Sequence, residues 1–169
     1  MDADLGYRWV IFACRFTAVL QKQITTRDIC TAETQVEANI SNTTNIRILL
    51  VEDDGANQFG LSSLLSKYSH QVDIAENGRE ALKSLEEKDF DIVLMDCRMP
   101  VMDGYEAATA IRDQSSKVRN HAIPIIALTA NAMQEDQKKC LDAGMDDYLT
   151  KPIDFPKLVE LLEKWVKHR

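Results

Sequence analysis

Five short apolar runs, each followed by polar residues, limit this chain to a small set of folds. The runs are rich in branched side chains and cover residues 46–51, 72–75, 92–95, 123–128 and 148–150. Runs of this kind are typical of parallel strands that are buried on both faces. Amphipathic segments with helical spacing separate the runs, so the sequence predicts five successive βα units. Such units form an α/β fold, a doubly wound five-stranded parallel sheet with right-handed crossovers.

Helix boundary signals lie between the apolar runs. Segments 77–80 and 103–106 each begin with Asn or Asp and end with Glu three residues later, which is the spacing of a capping box. Gly144 is a natural end for a helix over residues 132–143. The last helix is predicted to start near 152–156, where two prolines stand before an amphipathic segment.

The composition changes near residue 45. All four prolines and five of the six glycines follow that position, whereas residues 21–45 hold six threonines and show no helical or strand period. We therefore expect residues 1–45 to be a mobile N-terminal extension or linker, and residues 46–169 to be the folded domain.

Charge and hydropathy exclude several classes of protein. The net charge is −7, with 20 basic and 27 acidic residues and no basic block, so a dedicated nucleic-acid-binding module is not expected. No apolar run reaches the length of about 18 residues that a membrane helix needs. We expect no membrane contact by this chain and a cytoplasmic location.

The cysteines and histidines show no metal-binding pattern. Cys14, Cys30, Cys97 and Cys140 lie far apart in the sequence without a CxxC pair. This spacing predicts neither a zinc site nor a disulfide framework, and it is typical of reduced cytosolic thiols. The unclustered histidines, such as His70, are expected at the surface.

Polar residues follow four of the five runs, at the point where each predicted strand ends. They are Glu52 with Asp53, then Asp96, Thr129 and Lys151. Because the carboxyl ends of parallel strands meet at one edge of a sheet, we expect these side chains to form one crevice.

The chemistry of this set points to phosphoryl transfer. Neighbouring carboxylates repel one another, and a hard divalent cation such as Mg²⁺ relieves that repulsion through oxygen ligands. A carboxylate such as Asp96 can attack phosphorus and form an aspartyl-phosphate. Lys151 and Thr129 would then stabilise charge on the transferred group.

Four motifs in this order resemble those of response-regulator receiver domains. They are LVEDD at 50–54, MDCRMP at 95–100 followed by Asp103-Gly104, ALTA at 127–130 and LTKP at 149–152. The resemblance extends over residues 46–169. Within 127–153 the chain is most similar to receivers at the C-terminal end of hybrid sensor histidine kinases.

The resemblance implies a flavodoxin-like fold with strand order 2-1-3-4-5. It also implies roles for individual residues. Asp96 would be the phosphoacceptor, and Glu52 and Asp53 would form the acidic pocket. Mg²⁺ would be held by this pocket, by Asp96 and by the backbone carbonyl of Arg98. Lys151 would contact the phosphoryl group, with Thr129 as the switch hydroxyl and Tyr148 as the switch aromatic.

The implied function is signal transduction in a phosphorelay. A histidine kinase or a histidine phosphotransfer domain would donate the phosphoryl group, and the domain would then change its interaction surface. Such a domain assists its own phosphorylation and dephosphorylation but is not an enzyme that turns over a free metabolite. The resemblance leaves open whether the domain forms a homodimer.

Several alternatives stay open on the sequence. A Mg²⁺-dependent phosphatase of the haloacid dehalogenase type requires a second acidic residue two positions after the nucleophile. If Asp96 were the nucleophile, that position would be Arg98. A receiver used as an unphosphorylated scaffold would have the same fold. Asp54 is expected to have the structural role of a helix cap. The chain could be a stand-alone receiver or a piece of a longer hybrid kinase.

Overall fold

A computed structural model describes residues 45–130 and 133–166 of the chain. The expected N-terminal extension therefore lies outside the described residues, except for Asn45. None of the helices in these two ranges is long and apolar enough to cross a membrane.

Five parallel strands form one sheet in the order β2-β1-β3-β4-β5. The strands are β1 (Arg47–Val51), β2 (Gln71–Ala75), β3 (Ile92–Asp96), β4 (Ile125–Thr129) and β5 (Asp147–Thr150). The predicted strand order is confirmed. β4 begins after Pro124, two residues later than expected, and a proline has no N–H to donate to a ladder. The carbonyl of Pro124 still accepts from the N–H of Val93 at 2.9 Å.

One helix follows each strand. The helices are α1 (Gly55–Lys67), α2 (Gly78–Glu87), α3 (Gly104–Arg112), α4 (Gln134–Asp142) and α5 (Phe155–Val166). Asp103 and Glu106 form the predicted capping box at the start of α3. At the start of α2 the box is incomplete, because the Glu80 side chain accepts from the backbone N–H of Glu76 rather than that of Asn77.

The helices cover both faces of the sheet and create two hydrophobic layers. Helices α1 and α5 pack against one face, where Leu65 and Leu158 are fully buried. Helices α2, α3 and α4 cover the other face, with Ala81, Ile111 and Cys140 among the buried residues. The central strands are buried on both sides, which explains why their sequences are continuous apolar runs rather than alternating ones.

The expectation that His70 lies at the surface is wrong. His70 connects α1 to β2 and is 6% exposed. Its Nδ1 atom has no hydrogen-bond partner among the described residues. A lone histidine in a polar segment gives no sequence signal of burial. The loop folds inward through backbone hydrogen bonds, and one of these runs from the His70 N–H to the Leu65 carbonyl at 3.3 Å.

Candidate functional site

The polar residues that follow the strands meet at one edge of the sheet, as the sequence predicts. Glu52 follows β1, Asp96 ends β3, Thr129 ends β4 and Lys151 follows β5. The parallel register brings the ends of neighbouring strands level, so that Thr129 pairs with Thr150. Three of the four side chains are buried, with Glu52 exposed by 2%, Thr129 by 4% and Asp96 by 7%.

Lys151 connects two of these carboxylates. Its Nζ atom donates to Glu52 Oε2 at 2.7 Å and to Asp96 Oδ2 at 2.5 Å. Partial burial alone would lower the pKa of Lys151, but the hydrogen bonds to Asp96 and Glu52 raise that pKa above its usual value. The ammonium group is therefore charged at neutral pH and neutralises part of the acidic site.

The acidic residues form a group that fits a hard divalent cation. Glu52, Asp53 and Asp96 each offer a carboxylate oxygen, and these oxygens lie within 4.8 Å of one another. Asp53 is exposed, so the group opens to solvent on one side. The single positive charge of Lys151 cannot neutralise the negative charges of three carboxylates. Negatively charged carboxylate oxygens are the ligands that Mg²⁺ prefers. The donor set therefore fits Mg²⁺, as the sequence predicts.

Two side chains of the first turn of α1 hold Glu52 in place. Asn57 Nδ2 donates to Glu52 Oε1 at 2.8 Å, and Gln58 Nε2 donates to the Glu52 carbonyl at 2.7 Å. Asp54 caps the same helix and accepts from the N–H groups of Ala56 and Asn57. Sequence reasoning missed Asn57 and Gln58, although their position within one turn of the strand end could have indicated them.

The loop after β3 shapes the surroundings of Asp96. The backbone N–H of Arg98 donates to Asp96 Oδ1 at 3.1 Å, and the Arg98 side chain is exposed. Gly104 lies against the Asp96 backbone, since a Cβ atom at position 104 would be 2.1 Å from the Asp96 carbonyl oxygen. The Asp-Gly pair of the second motif thus has two physical reasons, a cap at Asp103 and a close backbone approach at Gly104.

Thr129 and Tyr148 lie on the α4 side of the site. Thr129 lines a cavity of about 120 Å³ together with Asp96 and Lys151. Its carbonyl accepts from the N–H of Lys151 at 2.7 Å, which links the ends of β4 and β5. Tyr148 is half-buried and packs on the hydrophobic layer under α2, α3 and α4.

Two cysteines that are 43 residues apart in the sequence meet beside the site. The Sγ atoms of Cys97 and Cys140 lie 3.7 Å apart, and both residues are buried. Burial and the neighbouring Cys140 raise the pKa of the Cys97 thiol to about 12. The sequence spacing suggested isolated cysteines, so their proximity is a product of the fold.

A family model and curated relatives agree with these observations. Residues 48–163 match the model of the response regulator receiver domain. The chain is 41% identical over 119 residues to the sensor protein GacS of Pseudomonas syringae, covering 70% of this chain and 13% of the relative. It is 42% identical over 128 residues to hybrid signal transduction histidine kinase B of Dictyostelium discoideum, covering 70% of this chain and 6% of the relative. The chain thus spans a small part of the curated relatives it matches.

Solved structures show the same similarity over the domain alone. One is the receiver domain of a Pseudomonas aeruginosa sensor histidine kinase with magnesium coordinated in its active site cleft. It is 43% identical with a TM-score of 0.66, and the match covers 73% of this chain and 99% of that one. Another is the Saccharomyces cerevisiae receiver domain of Ssk1, in a complex with the phosphotransfer protein Ypd1. It is 37% identical with a TM-score of 0.66, and the match covers 72% of this chain and 88% of that one. With its strand order and acidic edge, this chain belongs to the response regulator receiver domain family.

Proposed function

We propose that this chain takes a phosphoryl group from a partner phosphohistidine onto Asp96, and that the acceptor site works with Mg²⁺. The observation that carries this proposal is the position of Asp96, a buried carboxylate within 4.8 Å of Glu52 and Asp53 and 2.5 Å from Lys151 Nζ. The family membership supports it, and the similar structures with magnesium and with a phosphotransfer protein support the cofactor and the class of partner.

The transfer has a simple balance of bonds. A carboxylate oxygen of Asp96 forms a new bond to phosphorus, and the bond from phosphorus to the histidine nitrogen breaks. The histidine nitrogen keeps the electron pair of that bond. The chain thereby gains a phosphoryl dianion in a site that already holds two other carboxylates.

Several groups around Asp96 would each stabilise part of this negative charge. Glu52, Asp53, Asp96 and the backbone carbonyl of Arg98 would hold Mg²⁺. When bound, the cation neutralises negative charge on the phosphoryl oxygens. Lys151 would donate to a phosphoryl oxygen from the side where it now meets Asp96 Oδ2.

The switch would operate through Thr129 and Tyr148. We infer that the new dianion attracts the Thr129 hydroxyl, which lines the same cavity as Asp96. Tyr148 would then move into the space that Thr129 leaves, and the surface of α4, β5 and α5 would favour different partners. This is a shift between two packings that a local charge drives.

We further propose that the chain acts as a cytoplasmic signalling module and turns over no free metabolite. A histidine kinase or a histidine phosphotransfer domain would supply the phosphoryl group. Residues 1–45 would be an extension that precedes the receiver domain of residues 46–169. The phosphoryl group would reach this chain in one of two ways. It would come from such a separate partner, or from a further domain of a longer protein that contains this chain.

The test is phosphorylation by a small-molecule donor. Wild-type chain with acetyl phosphate and Mg²⁺ should gain one phosphoryl group by intact mass, and Asp96→Asn should gain none. Asp103→Asn is the matched control, because asparagine also caps a helix and this residue is not expected to bind the metal. Asp53→Asn should weaken Mg²⁺ binding in calorimetry. An Asp96→Asn protein that is phosphorylated at the wild-type rate would refute the assignment.

A further inference from the structure

The thiol pair beside the site has a chemistry that phosphoryl transfer does not use. Cys97 follows Asp96 directly, and Cys140 lies near the end of α4. Their sulfur atoms are 3.7 Å apart. A disulfide bond is about 2.05 Å long, so the two sulfurs would have to approach by about 1.7 Å to form one. Small rotations of two short side chains can supply such a movement.

Helix α4 buries few of its described side chains. Among the α4 side chains that the structure describes, Cys140 is the only buried one, and Leu141 is 55% exposed. The N-cap residue Met133 makes no side-chain cap hydrogen bond. Segments with few buried apolar contacts open locally at a lower free energy than the rest of a domain. Opening of α4 would carry Cys140 into solvent, whereas Cys97 would stay in the loop after β3.

We propose that Cys97 and Cys140 are an oxidative modification site, at which a peroxide converts the two thiols into a disulfide bond between the loop after β3 and α4. The inference does not depend on phosphorylation of Asp96, because it rests on the positions of the two sulfur atoms and on the small number of buried side chains in α4.

The reaction proceeds in two balanced steps. The Cys140 sulfur, exposed when α4 opens, attacks one oxygen of the peroxide, so that the O–O bond breaks and a sulfenic acid forms with release of water. After α4 closes, the Cys97 sulfur attacks the Cys140 sulfur. The sulfenic hydroxyl group leaves as water with the proton of the Cys97 thiol. Two thiols are oxidised, and one hydrogen peroxide molecule is reduced to two water molecules.

The disulfide would fix α4 on the loop that carries the residue next to Asp96. Cys97 lines the same cavity as Thr129 and Asp96, so the bond would join the site to the helix directly. Tyr105 of α3 lines the same cavity and packs against the buried layer that holds both thiols. We expect slower amide exchange over Gln134–Asp142 in the oxidised protein, because the local opening of α4 would need the bond to break.

The test uses the full chain with Cys14→Ser and Cys30→Ser, which leaves one thiol pair. After hydrogen peroxide treatment, unfolding and alkylation with maleimide, the protein should lose two hydrogen atoms by intact mass and take up no maleimide. A dithiol should reverse the change. Peptide mapping should find Cys97 linked to Cys140, and exchange of the Gln134–Asp142 amides should slow at least about tenfold relative to the reduced protein.

Cys97→Ser and Cys140→Ser in the same background are the matched controls and should not lose the two hydrogen atoms. Peptide mapping of the oxidised wild-type chain gives a second measurement that needs no substitution. Recovery of both thiols as maleimide adducts would overturn the proposal. Conversion of Cys140 to a sulfinic acid without a crosslink, or a disulfide between two copies of the chain, would overturn it equally.

Discussion

Gly104 lies in close contact with the backbone of Asp96, the proposed acceptor. A Cβ atom there would be 2.1 Å from the Asp96 carbonyl oxygen and 3.0 Å from Met95 Cγ. The nearer atom belongs to the backbone of β3, which cannot move without displacing Asp96. The requirement for glycine is thus a matter of space at this position.

We predict that Gly104→Ala destabilises the chain by about 1–3 kcal/mol, since overpacking against backbone forces the surrounding structure to shift. The displaced Asp96 should also be phosphorylated more slowly by acetyl phosphate. Urea unfolding and intact mass measure the two effects. Gly60→Ala is the matched control, because no atom other than those of its chain neighbours and the local helix backbone lies within 4 Å of a Cβ there, and alanine favours the interior of α1. Equal stability of Gly104→Ala and wild type would contradict the prediction.

His70 gives the domain a dependence of stability on pH. Burial lowers the pKa of His70 below its ordinary value near 6.5. Below about pH 6.5 the unfolded chain binds a proton that the folded chain resists, so stability falls as the pH falls through this range. Well above about pH 7.5 the imidazole is almost entirely neutral in both states and contributes almost no slope.

The variant His70→Leu should therefore lose less stability than wild type between about pH 7.5 and 5.5. Urea unfolding at several pH values measures the free energy of unfolding of both proteins. Carboxylates titrate in both, so the difference between the two curves isolates His70. Parallel curves for the two proteins would show that His70 binds its proton equally well in the folded and unfolded chain.

Helix α1 presents an apolar surface next to the site. Ala56, Gly60 and Leu64 line a cleft of about 310 Å³ that also contacts Lys151 and Pro152. Phe59, on the same helix, is 74% exposed. A partner that brings a phosphohistidine to Asp96 must approach this edge, and an exposed aromatic residue is a common anchor for such contacts.

We predict that Phe59→Ser slows phosphoryl transfer from a phosphorylated histidine phosphotransfer domain by about tenfold, which corresponds to about 1.4 kcal/mol of barrier. Phosphorylation by acetyl phosphate should not change, since that donor needs no protein contact. Leu141→Ser is the matched control, an exposed apolar residue on α4 that is 55% accessible. The measurement is the rate of phosphoryl transfer to wild type, Phe59→Ser and Leu141→Ser from a phosphotransfer domain that phosphorylates the wild-type chain. Slowing with both donors would mean that the substitution damages the site itself.

At the scale of the whole molecule, the described residues form a hydrophobic layer on each face of the sheet. Helices α1 and α5 cover one face of the sheet, and α2, α3 and α4 cover the other. The five helices all lie within Gly55–Val166, and the first strand begins at Arg47. Residues 1–44 supply none of these elements. The domain should therefore fold without them.

Removal of residues 1–44 should shift the melting temperature by less than about 4 °C, the change that roughly 1 kcal/mol produces in a chain of this size. Removal of residues 1–48 is the control and should unfold the protein, because it deletes Ile46 and Ile48, which are exposed by 5% and 0%. Thermal unfolding by circular dichroism measures both. A large loss of stability in the shorter deletion would indicate that residues 1–44 pack on the domain.

The sequence by itself determined the order of elements and the composition of the acidic edge. Continuous apolar runs indicated strands buried on both faces, and the residues after Val51, Met95 and Leu128 had to meet once those strands were parallel. Asp103 could be identified as a cap because capping acts within one helical turn. These inferences succeed because each depends on neighbouring residues or on the symmetry of a parallel sheet.

Only the tertiary structure decided which distant side chains touch. The pairing of Cys97 with Cys140, the burial of His70 and the close approach of Gly104 to the Asp96 carbonyl depend on how the helices pack on the sheet. Asn57 likewise acquires its role from the direction in which α1 leaves β1. No local pattern encodes such contacts, because they are set by the positions of whole elements whose mutual packing is a property of the complete core.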